Sequence, residues 1–69
     1  MSKLKDIEQI HESMINGQGK QAVEQMTEYG DYDFAKDYMN YLQDICISGR
    51  DAWRYFTDAI ITRDRIRNR

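Results

Sequence analysis

The sequence predicts a small all-α protein, a bundle of three to four short helices joined by Gly-containing turns. Three observations carry this. Apolar residues recur at helical spacing in every segment. The 69 residues contain no Pro and only 4 Gly. No segment alternates apolar and polar residues for long, and the Asn16-Gly17 pair follows a helical pattern with no strand-like runs beside it. Turn signals at Asn16-Gly17-Gln18-Gly19, Gly30-Asp31 and Ser48-Gly49 cut the chain into four segments.

The first helix is expected from about Lys3 to Ile15. Ser2 is its candidate cap, because a hydroxyl there can accept an orphan backbone N–H. Leu4, Ile7, His11 and Met14 share a stripe that Ile10 and Ile15 widen. Asn16-Gly17 stops it, since both residues tolerate the left-handed conformation. The second helix runs from about Lys20 to Tyr29, with Ala22, Val23, Met26 and Tyr29 on one face. It is too short to be stable alone and must be held by packing. Gly30 ends it.

The third helix is expected from about Asp33 to Ile47. Asp31 or Asp33 can cap it, and an acid there also suits the helix dipole. Phe34, Tyr38, Tyr41 and Ile45 form one stripe; Ala35, Met39, Leu42 and Cys46 form its neighbour. Two adjacent stripes make the wide apolar face a central helix needs. The fourth helix starts near Arg50 or Asp51, with Ser48 as candidate cap. Trp53, Phe56 and Ile60 line one of its faces, and Ala52, Tyr55, Ala59 and Ile66 another.

Composition excludes several classes. A chain of 69 residues holds one domain, here 1–69 with a basic C-terminal end at 63–69. One Cys forms no internal disulfide, and one Cys with one His cannot build the usual zinc cage. No metal or cofactor is expected. Hydrophobic residues at 41% are too many for a disordered chain. No uninterrupted apolar run is longer than Ala59-Ile60-Ile61, so neither a transmembrane helix nor a signal-peptide core is expected. The unpaired thiol suits a reducing compartment, and the expected location is cytoplasmic. A domain this small is marginally stable, which makes self-association a route to extra stability.

The formal net charge of -2 hides an asymmetry. Between Glu24 and Asp44, the six acids Glu24, Glu28, Asp31, Asp33, Asp37 and Asp44 face one base, Lys36, for a net -5. The last seven residues carry Arg63, Arg65, Arg67 and Arg69 against Asp64, for a net +3. Glu24 and Glu28 are spaced i,i+4, as are Asp33 and Asp37, and each such like-charge pair costs about 0.2–0.5 kcal/mol on a helix. Two interpretations stand side by side. In one, Glu24, Glu28, Asp31, Asp33 and Asp37 attract a basic partner protein, with Tyr32 and Tyr38 as aromatic anchors. In the other, the acids are a solvated face and the aromatics are core. The arginines likewise serve either as a nucleic-acid contact, salt-dependent and blind to sequence, or as positive charge complementing a helix C-terminus. A third arrangement docks the basic tail of one subunit on the acidic segment of another.

Other motifs fail on spacing. Gly17-Gln18-Gly19-Lys20 lacks the length and the Ser or Thr of a phosphate loop, though an anion could rest at the helix N-terminus behind it. Asp31-Tyr32-Asp33 with Asp37 lacks the Gly and Glu of a calcium loop: those positions are Lys36 and Leu42. His11 has no marked nucleophile nearby and is expected at the core boundary. Cys46 is expected as a small buried hydrophobe. A groove-reading helix is disfavoured by Glu24 and Glu28 on the second helix and by Asp51 and Asp58 on the fourth. The same two acids dilute the fourth helix as a membrane-surface helix. With no cofactor motif and little to build a site from, an enzyme is not expected. The favoured function is a small interaction or regulatory protein that binds, and can inhibit, a basic partner. A nucleic-acid-associated or self-assembling protein using the C-terminal arginines is the alternative.

Overall fold

A computed structural model describes residues 3–46 and 48–68. It is an all-α bundle in the order α1 (Lys3–Ile15), α2 (Gly19–Tyr29), α3 (Asp31–Ile45) and α4 (Gly49–Arg67). There is no strand among the described residues. Ser2, Ile47 and Arg69, expected to be a cap, a helix end and a tail arginine, lie outside them.

Local chemistry explains most boundaries. Gly17 follows α1 with φ 78°, and Gln18 N–H donates to the Ser13 carbonyl at 2.8 Å. Ser48 caps α4 as expected: its hydroxyl accepts from Asp51 N–H at 3.3 Å. Arg65 and Arg67 occupy the last turn of α4, where positive charge suits the dipole.

The α2–α3 joint departs from expectation. Neither Asp31 nor Asp33 caps α3; both lie inside its first turn, and the cap is Gly30 with no side-chain hydrogen bond. Gly30 has φ 103° and ψ 125°, a region a Cβ makes costly. One residue thereby closes α2, with its N–H on the Met26 carbonyl at 3.0 Å, and opens α3, with its carbonyl taking Phe34 N–H at 2.8 Å. Gly30→Ala is expected to destabilise the fold by about 1–3 kcal/mol. A chemical-denaturation midpoint equal to that of the native chain would refute the requirement for glycine.

The core is one cluster of Ile7 and Ile10 from α1, Ala22 and Met26 from α2, Phe34, Tyr38 and Leu42 from α3, and Ala52 and Ala59 from α4. Each helix adds a residue or more from its expected stripes. α4 contributes small residues, with Phe56 and Ile60 packed against the cluster's edge. Close approach of α4 is also visible at Gly19, where a Cβ would lie 3.1 Å from the Thr62 methyl. Two expectations at the core boundary are corrected. Trp53 is 62% exposed, because the buried line of α4 runs through Ala52 and Ala59. His11 is only 6% exposed and belongs to the interior. Cys46 is a free thiol at the core's edge, partly covered.

Candidate acidic interaction surface

The acids divide into three groups once the chain folds. Glu24 and Glu28 stand exposed on the outer face of α2. Asp31, Tyr32 and Asp33 form the exposed first turn of α3, placed there by the single-residue joint at Gly30. Asp37, one turn further, is half-buried and accepts a hydrogen bond from the Tyr29 hydroxyl.

Tyr29 is the organising residue. It sits in the last turn of α2 between two shallow depressions. One, of about 290 Å³, is lined by Asp6, Gln9, Ile10, Gln25, Glu28 and Tyr29. The other, of about 230 Å³, is lined by Leu4, Ile7, Tyr29, Asp37, Asn40, Tyr41 and Asp44. Burial pushes the Tyr29 phenol well above its ordinary range, helped by the hydrogen bond to Asp37 and the negative fields of Asp37, Asp33 and Asp6. The phenol therefore stays protonated and keeps donating to Asp37. Asp6, from α1, was not among the acids singled out by sequence, because it lies far from the 24–44 segment along the chain. The i,i+4 spacing gave no hint of it.

The aromatic anchors fare differently. Tyr32 is 81% exposed between Asp31 and Asp33, as an anchor requires. Tyr38 is 1% exposed and is removed from the partner surface. The reason is the helical period: Phe34, Tyr38 and Leu42 form the inward stripe of α3, and Tyr38 stacks on Phe34 with centroids 4.9 Å apart. Its hydroxyl is hydrogen-bonded to His11 Nδ1 at 2.7 Å. Leu4, 55% exposed at the rim of the second depression, supplies apolar surface that Tyr38 does not.

The basic tail is helical through Arg67 and does not form one stripe. Arg67 reaches back across the bundle, donating through both terminal nitrogens to Asp31 at 2.8 and 2.9 Å and through one to Thr27 Oγ1 at 2.9 Å. This forked contact holds the Asp31 carboxyl below its usual range. The tail-to-acid docking expected between subunits thus has a counterpart within one chain. Arg63 is mostly covered, with Nε 3.5 Å from Asp64. Of the described tail arginines, Arg65 alone is exposed and outside these contacts.

Among the described residues, no group of three or more His, Cys, Asp or Glu is placed to hold a metal ion. No helix of the described residues is long and apolar enough to cross a membrane. No family model, no curated protein and no solved structure matches this chain.

Proposed function

We propose that this is a small non-enzymatic interaction protein that binds, and can inhibit, a basic partner protein through the acidic-aromatic surface spanning α1, α2 and the start of α3. The observation that carries this is Tyr32, 81% exposed between two acids in the first turn of α3, on a chain that also gathers Asp6, Glu28, Asp37 and Asp44 around two depressions at Tyr29. A solvated face needs no such aromatic. Lysine and arginine side chains of a partner fit the two depressions around Tyr29, and Tyr32 and Leu4 supply desolvated contact area. Long-range attraction speeds the encounter and weakens with salt. A surface of this kind competes with nucleic acid for a protein's positive groove. The alternative, a nucleic-acid contact through Arg63, Arg65, Arg67 and Arg69, is weakened by the commitment of Arg67 to Asp31 and the covering of Arg63.

The test is a tagged capture from native lysate, with and without nuclease, comparing the native chain with Glu28→Lys/Asp33→Lys. These two positions are chosen because Asp31 is held by Arg67 and Asp37 by Tyr29. A stoichiometric basic protein should survive nuclease and be lost on reversal, its affinity falling roughly tenfold or more. Equal capture by both chains would reduce the acids to a solvated face. Capture that disappears with nuclease would move the function to the arginines.

A further inference from the structure

We infer that the outer face of α4 is a self-docking surface, on which two copies of this chain pair antiparallel about a two-fold axis at Thr57. The bundle uses one side of α4. Ala52 and Ala59 are buried, Phe56 packs on the core, and Thr62 and Ile66 lie against Gly19. At about 100° per residue, the opposite side of the helix is centred near Thr57. Arg50, Trp53, Ile61 and Asp64 all lie within roughly 40° of that direction.

Their order is self-complementary. Trp53 precedes Thr57 by four residues and Ile61 follows it by four; Arg50 precedes it by seven and Asp64 follows it by seven. Trp53 is 62% exposed, with its ring stacked on Phe56 of the same helix at 6.1 Å between centroids, and Ile61 is 43% exposed, so this apolar strip is open to solvent. A two-fold rotation that reverses α4 sets Trp53 of one copy over Thr57 and Ile60 of the other. It sets Arg50 opposite Asp64, and Arg54 beside Asp58 and Ile61. Arg50, Trp53, Arg54, Thr57 and Asp58 line a shallow depression of about 320 Å³, and the same rotation delivers Ile61 of the second copy into it. Small Thr57 at the axis lets the helices approach. A parallel pairing would place Arg50 on Arg50 and Asp64 on Asp64, and is disfavoured by like charge.

The charge balance selects this occupant over others. Arg50, Arg54 and Arg65 stand against Asp58 and Asp64 on this side, a net charge of only one, so the face offers little net attraction to nucleic acid or to a strongly charged protein. A second copy pairs Arg50 with Asp64 and Arg54 with Asp58 on both sides of the axis. The pairing is isologous and closes at two subunits. A single helix pair falls below a standard-sized interface, so the dimer is expected to be reversible and concentration-dependent. It leaves Glu28, Tyr32 and Asp33 uninvolved, and stands or falls separately from the partner-binding proposal.

The experiment is sedimentation of the full chain over a concentration series, with helix content followed by circular dichroism. A monomer–dimer equilibrium is expected. Trp53→Ala should weaken it roughly thirtyfold, as for a central aromatic anchor, with helix content kept because Trp53 is largely exposed. Arg50→Asp alone and Asp64→Arg alone should each weaken it, and the two combined should restore it. The exchange also leaves both helix ends with favourable charge. A monomer throughout the series overturns the inference. So does a dimer indifferent to Trp53→Ala, or a failure of the double exchange to restore pairing. Retention on a single-stranded oligonucleotide that falls with Arg50→Asp and rises with Asp64→Arg would make this face a nucleic-acid surface instead, and would equally overturn it.

Discussion

Tyr38→Ala is expected to leave the chain largely unfolded at room temperature. Tyr38 is the largest of the fully buried side chains, and its ring joins α3 to α1 and α4. Its ring lies 4.9 Å from Phe34, 6.4 Å from Phe56 and 5.7 Å from His11, centroid to centroid. Truncating such a ring to alanine costs about 3–5 kcal/mol. A domain of this length holds in total only about 3–10 kcal/mol, at roughly 0.05–0.15 kcal/mol per residue. The loss is therefore comparable to the whole stability. Far-ultraviolet circular dichroism checks it: a variant with native helicity and an unshifted urea midpoint would contradict the central place given to Tyr38. Tyr38→Phe keeps the ring and loses only the hydroxyl, so its cost should be nearer the 1–3 kcal/mol of an unpartnered buried polar group.

The second large effect is expected at His11. His11→Ala opens a cavity and strips the buried Tyr38 hydroxyl of its partner, at a combined cost of about 2–4 kcal/mol. The residue also makes the fold acid-sensitive. Burial lowers the pKa of folded His11 below its ordinary 6.5, and the negative charge of Glu12 offsets this only in part. Below pH 6.5 the unfolded chain accepts a proton that the folded chain resists. Stability is therefore complete above that value and declines as pH falls towards the folded pKa. The rings of Tyr38, Tyr41 and Tyr55 surround the imidazole, and Asp51, Arg54 and Asp58 line the depression it borders. Asp31 titrates in a separate window: held low by Arg67, it contributes above its unfolded pKa and is lost only at more acid pH. Urea midpoints measured from neutral pH downward should fall through the histidine range in the native chain. In His11→Gln that part of the slope should vanish, and an unchanged slope would assign the acid sensitivity to the carboxylates.

Both effects concern residues whose sequence positions were ambiguous. His11 and Tyr38 each lie on an apolar stripe of their own helix. The sequence alone left His11 at a boundary and Tyr38 available as an anchor. Their hydrogen bond spans 27 positions, and neither half of it announces the other. The acidic surface was legible to a similar depth. Exposed Glu24, Glu28 and Asp33 follow from their charge, whereas the sequence left Tyr32 open between anchor and core and the fold put it outside. The convergence of Asp6 and Glu28 beside Tyr29, with Asp37 bonded to its hydroxyl, follows from how α1, α2 and α3 pack. The forked contact of Arg67 on Asp31 belongs with it, since it joins positions 36 apart.

What the sequence by itself determined is local in origin. Apolar spacing made four helices, Gly17 and Gly30 broke them, and Ser48 capped the last. Each depends on neighbours within a turn, where backbone sterics and hydrogen bonding act without knowledge of the rest of the chain. Tertiary structure decided which stripe became core. It buried Ala52 and Ala59 and left Trp53 in the open, and it turned Tyr38 inward while Tyr32 stayed outside. The physical reason is that periodicity names the candidate faces of a helix, but burial is a property of helix pairs. Only close packing between helices ranks one candidate face above another.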